Sequence, residues 1–345
     1  METTKKPRVF IIYTGGTIGM VETPDGLQPF DFNHLMDNVP KISKLGYEIG
    51  NYQFPQPIDS SNMNPSYYNQ IVKAIADNYD DYDGFVILHG TDTMAYTATA
   101  LSFMLENLRK PVVITGSQLP IGDIREDGTE NLISALEVAA AKDENGDPMI
   151  QEVVISFQDY IVRGNRSTKF TSTGFHAFKS FNYPVLGTID LHISYNKPFL
   201  FRPQVNEPLT PMMTMDPSVL VLFLFPGITE DIVKAQQNTP GIKGVVLRTF
   251  GAGNAPTEKW FLDLIADAVN RGIVVLNVTQ CMNGGDEQKR YYTGDMLSKA
   301  GVISGYDMTV EAGVMKLMYL FGKGLSNEQV KKYLGVSMVG EVTVD

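Results

Sequence analysis

Cysteine is all but missing from this 345-residue chain: the one thiol, Cys281, leaves no disulfide to be made within it. Long apolar runs are missing too. None approaches the ~20 residues that span a bilayer, and METTKKPRVF at the N-terminus carries two lysines but no apolar signal-peptide core. Positive charge is in deficit, with 28 Lys and Arg against 39 Asp and Glu and a formal net charge of −11. That balance argues against a surface for nucleic acid or for anionic lipid. Taken together, these shortages point to the cytoplasm. The histidines, at 34, 89, 176 and 192, lack the close helical spacing of a zinc site, and no Cys/His cluster can form. Neither a P-loop nor a G-x-G-x-x-G fingerprint is present. No cofactor and no metal are expected.

What remains is ordinary globular material, 43% hydrophobic and 19% charged, in a chain long enough for two domains. The most informative stretch is 9–20, VFIIYTGGTIGM. Its apolar run reads as a buried strand that breaks into Thr14-Gly15-Gly16-Thr17, where paired glycines let the backbone turn sharply. In an open α/β sheet, ligands collect at the C-terminal ends of strands. Thr17 is thereby placed at a crevice, with main-chain N–H groups nearby to stabilise a negative oxygen. Residues 85–94, FVILHGTDTM, repeat the design: an apolar run, then Gly90 and Thr91-Asp92-Thr93. Two strand ends that each deliver a threonine after glycine imply one pocket of hydroxyls and a carboxylate. His89, in the strand before Thr91, reads as a structural histidine.

Residues 22–33, rich in Pro, Asp, Gly and Gln, read as an exposed loop and a candidate lid. Asp59, Ser60 and Ser61 form a polar cluster before Asn64, a good N-cap, and Pro65, which suits a first helical turn. Tyr68, Val72, Ile75 and Tyr79 then mark a helix face. Strands are expected at 85–88, 112–115 and 153–157, and helices at 94–108 (stopped by Pro111) and 132–139, with a hairpin-like turn at 142–148. This alternation predicts an α/β fold: a doubly wound, mainly parallel sheet in a larger N-terminal domain, residues 1–190. RGNRSTK at 163–169 is a basic cluster that, by itself, reads as a solvated face. Prolines punctuate a linker at 191–215. A smaller C-terminal α/β domain, 216–345, opens on VLVLFLF at 219–225, read as a fully buried strand with parallel neighbours at 245–247 and 273–278. Helices are expected at 229–236, 256–271, 309–321 and 326–333, the last opened by a Ser326-x-x-Gln329 capping box.

TGGTIG and HGTDTM resemble the two signatures of the bacterial-type L-asparaginases, in their cytoplasmic type I branch. The likeness continues through TGSQLP at 115–120, RGNRSTK at 163–169, LRTFGAGNAP at 247–256, QCMNGG at 280–285 and SGYDMTVEA at 304–312, and so covers nearly the whole chain. The resemblance implies hydrolysis of asparagine to aspartate and ammonia through a threonine nucleophile and an acyl-enzyme. Thr17 is the expected nucleophile and Thr91 the second choice. Lys169 completes a Thr91-Asp92-Lys169 relay, which makes chemical sense because a desolvated lysine held by a carboxylate beside a hydroxyl acts as a base. Asp59 and Ser60, with Gly90, Thr91 and Asp92, are expected to hold the substrate's α-amino and α-carboxyl groups.

One position departs from the pattern. Many relatives carry a lid tyrosine that deprotonates the nucleophile; Leu27 stands at that place, which shifts the expectation to Tyr291, or to Tyr292 beside it. Thr168, Arg248 and Cys281 match a second asparagine site of some type I relatives. The family also implies a homo-oligomer, dimer or tetramer, whose only other partner is a small amino acid. A mixed asparaginase-glutaminase and a non-catalytic asparagine sensor are the alternatives.

Overall fold

A computed structural model describes residues 6–23, 26–29, 39–203, 206–288 and 292–344, without the side chains of 21–23, 26–29, 292 and 293. The chain forms two compact units, Met1–Ser180 with Pro184–Met213, and Phe181–Tyr183 with Thr214–Asp345.

The first unit is built on β1 (Arg8–Gly15), β4 (Glu48–Ile58), β5 (Gly84–Leu88), β6 (Val112–Thr115), β7 (Val153–Phe157), β8 (Tyr160–Arg163), β11 (Gly187–Ile189) and β12 (Ile193–Tyr195). These make one eight-stranded sheet in the order β12-β11-β8-β7-β6-β5-β1-β4. From β7 to β4 the pairs are parallel, and from β7 out to β12 they are antiparallel. The central strands are apolar on both faces, as a covered parallel sheet requires. Val9, Ile11, Ile12, Phe85, Val86, Ile87 and Leu88 are all fully buried, each contributing roughly 1.5–3 kcal/mol of hydrophobic stabilisation.

Helices α1 (Pro65–Asp77), α2 (Met94–Met104) and α3 (Gly128–Ala140) accompany the sheet. Asn64 caps α1 by accepting the Ser66 N–H at 3.0 Å, with Pro65 in the first turn. Helix α2 is buried on every side and ends at Met104, before Pro111 can stop it. Leu105–Glu106 leave the helix to pair with Thr210–Pro211, and Asn107 takes a left-handed φ of 63°. Lys142 and Pro148 form the antiparallel bridge of the expected turn.

Two readings need correction here. Met20–Thr23 (β2) and Gly26–Pro29 (β3) pair antiparallel, in register Glu22↔Leu27, so this part of the expected loop is strand; residues 24, 25 and 30–33 of that reading lie outside the described residues. The basic stretch is no solvated face either. Arg163, Asn165 and Arg166 are buried, and Arg163 Nε donates to Glu152 Oε2 at 2.6 Å. The same carboxylate accepts the Phe201 N–H. The stretch leads into β9 (Thr168–Lys169), which pairs antiparallel with β10 (Phe178–Lys179).

In the second unit, β13 (Val219–Phe223), β14 (Gly244–Thr249), β15 (Val274–Thr279) and β16 (Ile303–Ser304) form a parallel sheet in that order. With them are α4 (Glu230–Gln237), α5 (Lys259–Asn270), α6 (Tyr292–Lys299), α7 (Val310–Gly322) and α8 (Asn327–Leu334). The Ser326–Gln329 capping box is formed, and Thr309 caps α7. Strand β13 is not fully buried: it is an edge strand with Val221 and Phe223 exposed, and only Leu222 turned wholly into the core. Inside α7, Lys316 donates to Glu341 at 2.5 Å and to the Val336 carbonyl at 2.6 Å, with both charged side chains shut off from solvent.

Candidate active site

Glycine brings three loops of the first unit together. Gly15 and Gly16 turn the chain after β1 with φ of 129° and 90°, values that favour glycine. A Cβ on Gly16 would lie 2.5 Å from the Gly90 nitrogen, and one on Gly90 would lie 2.6 Å from Ser60 Oγ. The turns after β1 and β5 are therefore stacked backbone against backbone, and the Ser60 side chain of the Asp59–Ser61 loop lies against Gly90. Thr17, half-buried, opens a short 3-10 turn on the first of them.

At the second turn, Lys169 Nζ donates to Thr91 Oγ1 and to Asp92 Oδ1, both at 2.7 Å. The lysine is 16% exposed and the aspartate 66%. Lys169 is delivered by β9, where it pairs with Phe178, itself buried against Phe157 at a ring separation of 5.1 Å. Thr91 in turn donates to Gln118 Oε1 at 3.2 Å, and Gln118 Nε2 donates to the Gly174 carbonyl at 2.9 Å. The Gln118 and Leu119 N–H groups are held by Asp127, whose carboxyl burial pushes up. Gln118 was not singled out from sequence. The signal was there, because TGSQLP ends β6, the strand next to the one that carries Thr91.

Asp59 accepts the Ser61 N–H at 2.8 Å and the Ser61 hydroxyl at 2.7 Å, which hold its exposed carboxyl below the usual range. Ser60 is buried, and its carbonyl accepts the Thr93 hydroxyl at 2.7 Å. His89 is fully buried, and burial lowers its pKa to about 4, so it is neutral. Its Nδ1 faces the Gly90 carbonyl at 2.6 Å and so carries the proton; its Nε2 accepts from Thr97 Oγ1 at 2.9 Å. With both ring nitrogens satisfied, it supports the turn structurally.

Thr17, Asp59, Ser60, Gly90, Thr91, Asp92, Thr168 and Lys169 thus all belong to the first unit. Among the described residues no hydrogen bond joins Thr17 to the Thr91-Asp92-Lys169 group. Arg248 and Cys281 belong to the second unit, Arg248 half-buried on β14 and Cys281 exposed with its N–H on Thr279 Oγ1 at 3.0 Å. Tyr291 and the side chains of Leu27 and Tyr292 lie outside the described residues. Among those residues no helix is long and apolar enough to cross a membrane, and no three His, Cys, Asp or Glu are grouped to hold a metal.

The family model for the asparaginase N-terminal domain matches residues 8–200, and that for the glutaminase/asparaginase C-terminal domain matches 218–334. The chain is 42% identical to L-asparaginase 1 of Escherichia coli (strain K12), with 99% of each covered. It matches the crystal structure of L-asparaginase I from Vibrio cholerae with a TM-score of 0.89 at 40% identity, covering 98% of this chain and 100% of that one. The thermostable L-asparaginase from Thermococcus kodakarensis matches with a TM-score of 0.88 at 32% identity, over 98% and 100% of the two chains. The chain belongs to the asparaginase family.

Proposed function

We propose that this chain hydrolyses the side-chain amide of L-asparagine to L-aspartate and ammonia, through a threonine nucleophile and an acyl-enzyme. One observation carries the reading: Lys169 Nζ lies 2.7 Å from both Thr91 Oγ1 and Asp92 Oδ1, at a crevice whose loops are stacked on glycine. Such a trio moves protons, and it stands beside a turn that presents a second threonine.

In the first half-reaction the Thr17 hydroxyl attacks the amide carbon, and main-chain N–H groups of the glycine turns receive the oxyanion. The carbon–nitrogen bond then breaks, and ammonia leaves with a proton supplied through the Thr91 hydroxyl. In the second, water attacks the ester, Thr17 recovers its proton and aspartate departs. Lys169 and Asp92 carry the proton that Thr91 gives and takes back. Asp59 and Asp92 suit the substrate's α-ammonium, and the Ser60 hydroxyl with the Gly90 N–H suits its α-carboxylate. The type I likeness further supports a cytoplasmic homo-oligomer, with Tyr291 as the group that activates Thr17. It also supports a second asparagine held by Thr168, Arg248 and Cys281, which a sigmoidal rate curve would reveal.

The test is ammonia release from L-asparagine and from L-glutamine, each titrated, by wild type and by Thr17→Ala. Turnover of asparagine that falls at least ~100-fold in the variant is expected. Glutamine, one methylene longer, is expected to be disfavoured by about 1–3 kcal/mol of transition-state binding. Binding of asparagine without ammonia release by wild type would replace the enzyme with a sensor.

A further inference from the structure

Residue 19 is glycine for a reason that lies six residues upstream. A Cβ built on Gly19 would fall 2.1 Å from Tyr13 Oη, 2.3 Å from its Cζ and 2.5 Å from its Cε2. The Tyr13 ring therefore occupies the space that a side chain at 19 would take. Its hydroxyl donates to the Gly19 carbonyl at 2.8 Å. Tyr13 is fully buried, and burial raises its pKa above the ordinary tyrosine value, so the hydroxyl keeps its proton and remains a donor. A phenylalanine would fill the same space with no polar atom to desolvate, so what the tyrosine adds is the bond to Gly19.

The bond joins the firmest part of the first unit to the turn that presents the candidate nucleophile. Tyr13 lies in β1, in register with Leu88 of β5 on one side and Gln53 of β4 on the other. Its neighbour Thr14 donates to the Leu88 carbonyl at 2.9 Å. Gly19 is the last residue of the 3-10 turn Thr17–Gly19, which opens on Thr17. That turn closes on itself through the Gly19 N–H on the Gly16 carbonyl at 3.1 Å and the Met20 N–H on the Thr17 carbonyl. Hydrogen-bond geometry in a 3-10 turn is poor, so three residues of it need outside support. Gly16 against Gly90 supports the entry, and fully buried Ile18 supports the middle. Beyond Gly19 the chain enters β2, which pairs with β3 in a separate two-stranded sheet. Tyr13 ties the exit of the turn directly to the main sheet.

We propose that Tyr13 is a positioning residue for Thr17: by holding the Gly19 carbonyl it fixes the far end of the turn and, with it, the direction of the Thr17 hydroxyl. The proposal rests on the nucleophilic role given to Thr17 above. A displacement of ~1 Å in such a group costs on the order of 100-fold in rate, so a partial loosening has a measurable effect. Asp59 and Ser60, on a separate loop with their own bonds, continue to bind substrate.

The experiment compares steady-state ammonia release from L-asparagine by wild type, Thr17→Ala, Tyr13→Phe, Tyr13→Leu, and Tyr13→Leu combined with Gly19→Ala. Thermal unfolding of each allows rates to be stated per folded molecule. Tyr13→Phe keeps the ring and loses only the bond. It is expected to lose about 10-fold in kcat while KM stays within about threefold. Its kcat should keep the wild-type pH profile between about pH 6 and 9, because a hydroxyl that stays protonated adds no titration of its own. Gly19→Ala should cost no more than a further twofold on Tyr13→Leu, whose side chain stops short of the place held by the outer ring atoms. Turnover lost in Thr17→Ala but kept within twofold in Tyr13→Phe overturns the proposal alone. A rise in KM at unchanged kcat, or a pH profile that loses a limb, does the same; so does a large added loss from Gly19→Ala on the leucine background. Turnover that survives Thr17→Ala overturns the proposed chemistry and this proposal together.

Discussion

Two lysines of this chain make nearly the same bonds and do opposite work. Lys316 and Glu341 are both fully shut off from solvent, and the pair is closed on all sides. The lysine also reaches the Val336 carbonyl, while the carboxylate takes the N–H groups of Met338 and Val339. These bonds are all made within the fold, so the pair fastens the C-terminal segment to α7. Lys169 bonds a carboxylate that is 66% exposed and, in the same reach, the hydroxyl to which we assign the proton transfer. Its partners are half-buried and exposed instead of lying in a core. A lysine–carboxylate pair is therefore not a functional signal by itself; the hydroxyl beside it and the exposure of its partner are.

The comparison can be broken from either side. Lys169→Met should cost the most in activity, roughly 1,000-fold in kcat for asparagine. Its unfolding free energy should change by no more than about 1 kcal/mol, since a partly exposed pair contributes little. Lys316→Met should do the reverse. It leaves Glu341 buried and unpaired, so denaturant unfolding should report a loss of about 3–5 kcal/mol, with kcat per folded molecule unchanged. Removing both charges together, by Lys316→Met with Glu341→Gln, should recover part of that loss.

The smallest effect concerns Asp286, buried in the second unit with neither carboxyl oxygen hydrogen-bonded among the described residues and pushed up to about 7 by burial. Between about pH 4 and 7 the unfolded chain has released this proton while the folded chain still holds it. Stability should therefore fall as pH rises across that window, by on the order of 1–3 kcal/mol, and level off above it. Asp286→Asn should flatten that slope in denaturant titrations run at several pH values.

Much of this was legible in the sequence, where a local rule sufficed. Asn64 before Pro65 and Ser326 before Gln329 announced helix starts because capping is settled within four residues. The apolar runs of β1, β5, β6 and β7 announced a covered parallel sheet for the same reason. What escaped depended on distant neighbours. VLVLFLF has the composition of a central strand, yet among the described residues it lies at the sheet edge, with Val221, Phe223 and Phe225 exposed. Arg163 and Arg166 read as surface charge because Glu152, the partner that makes burial tolerable for Arg163, lies eleven residues upstream. Gln118 shows its role only through Thr91, a residue on the adjacent strand end. The motifs located the candidate threonines and aspartate; the amide that bonds Thr91 needed the fold.

Hydroxylamine competition during asparagine turnover tests the central claim, an acyl-enzyme on Thr17, most directly. If the ester forms, added hydroxylamine intercepts it, so that aspartyl hydroxamate replaces aspartate while ammonia release persists, and Thr17→Ala yields neither product. Undiminished aspartate with no hydroxamate, or hydroxamate still formed at the wild-type rate by Thr17→Ala, would contradict it.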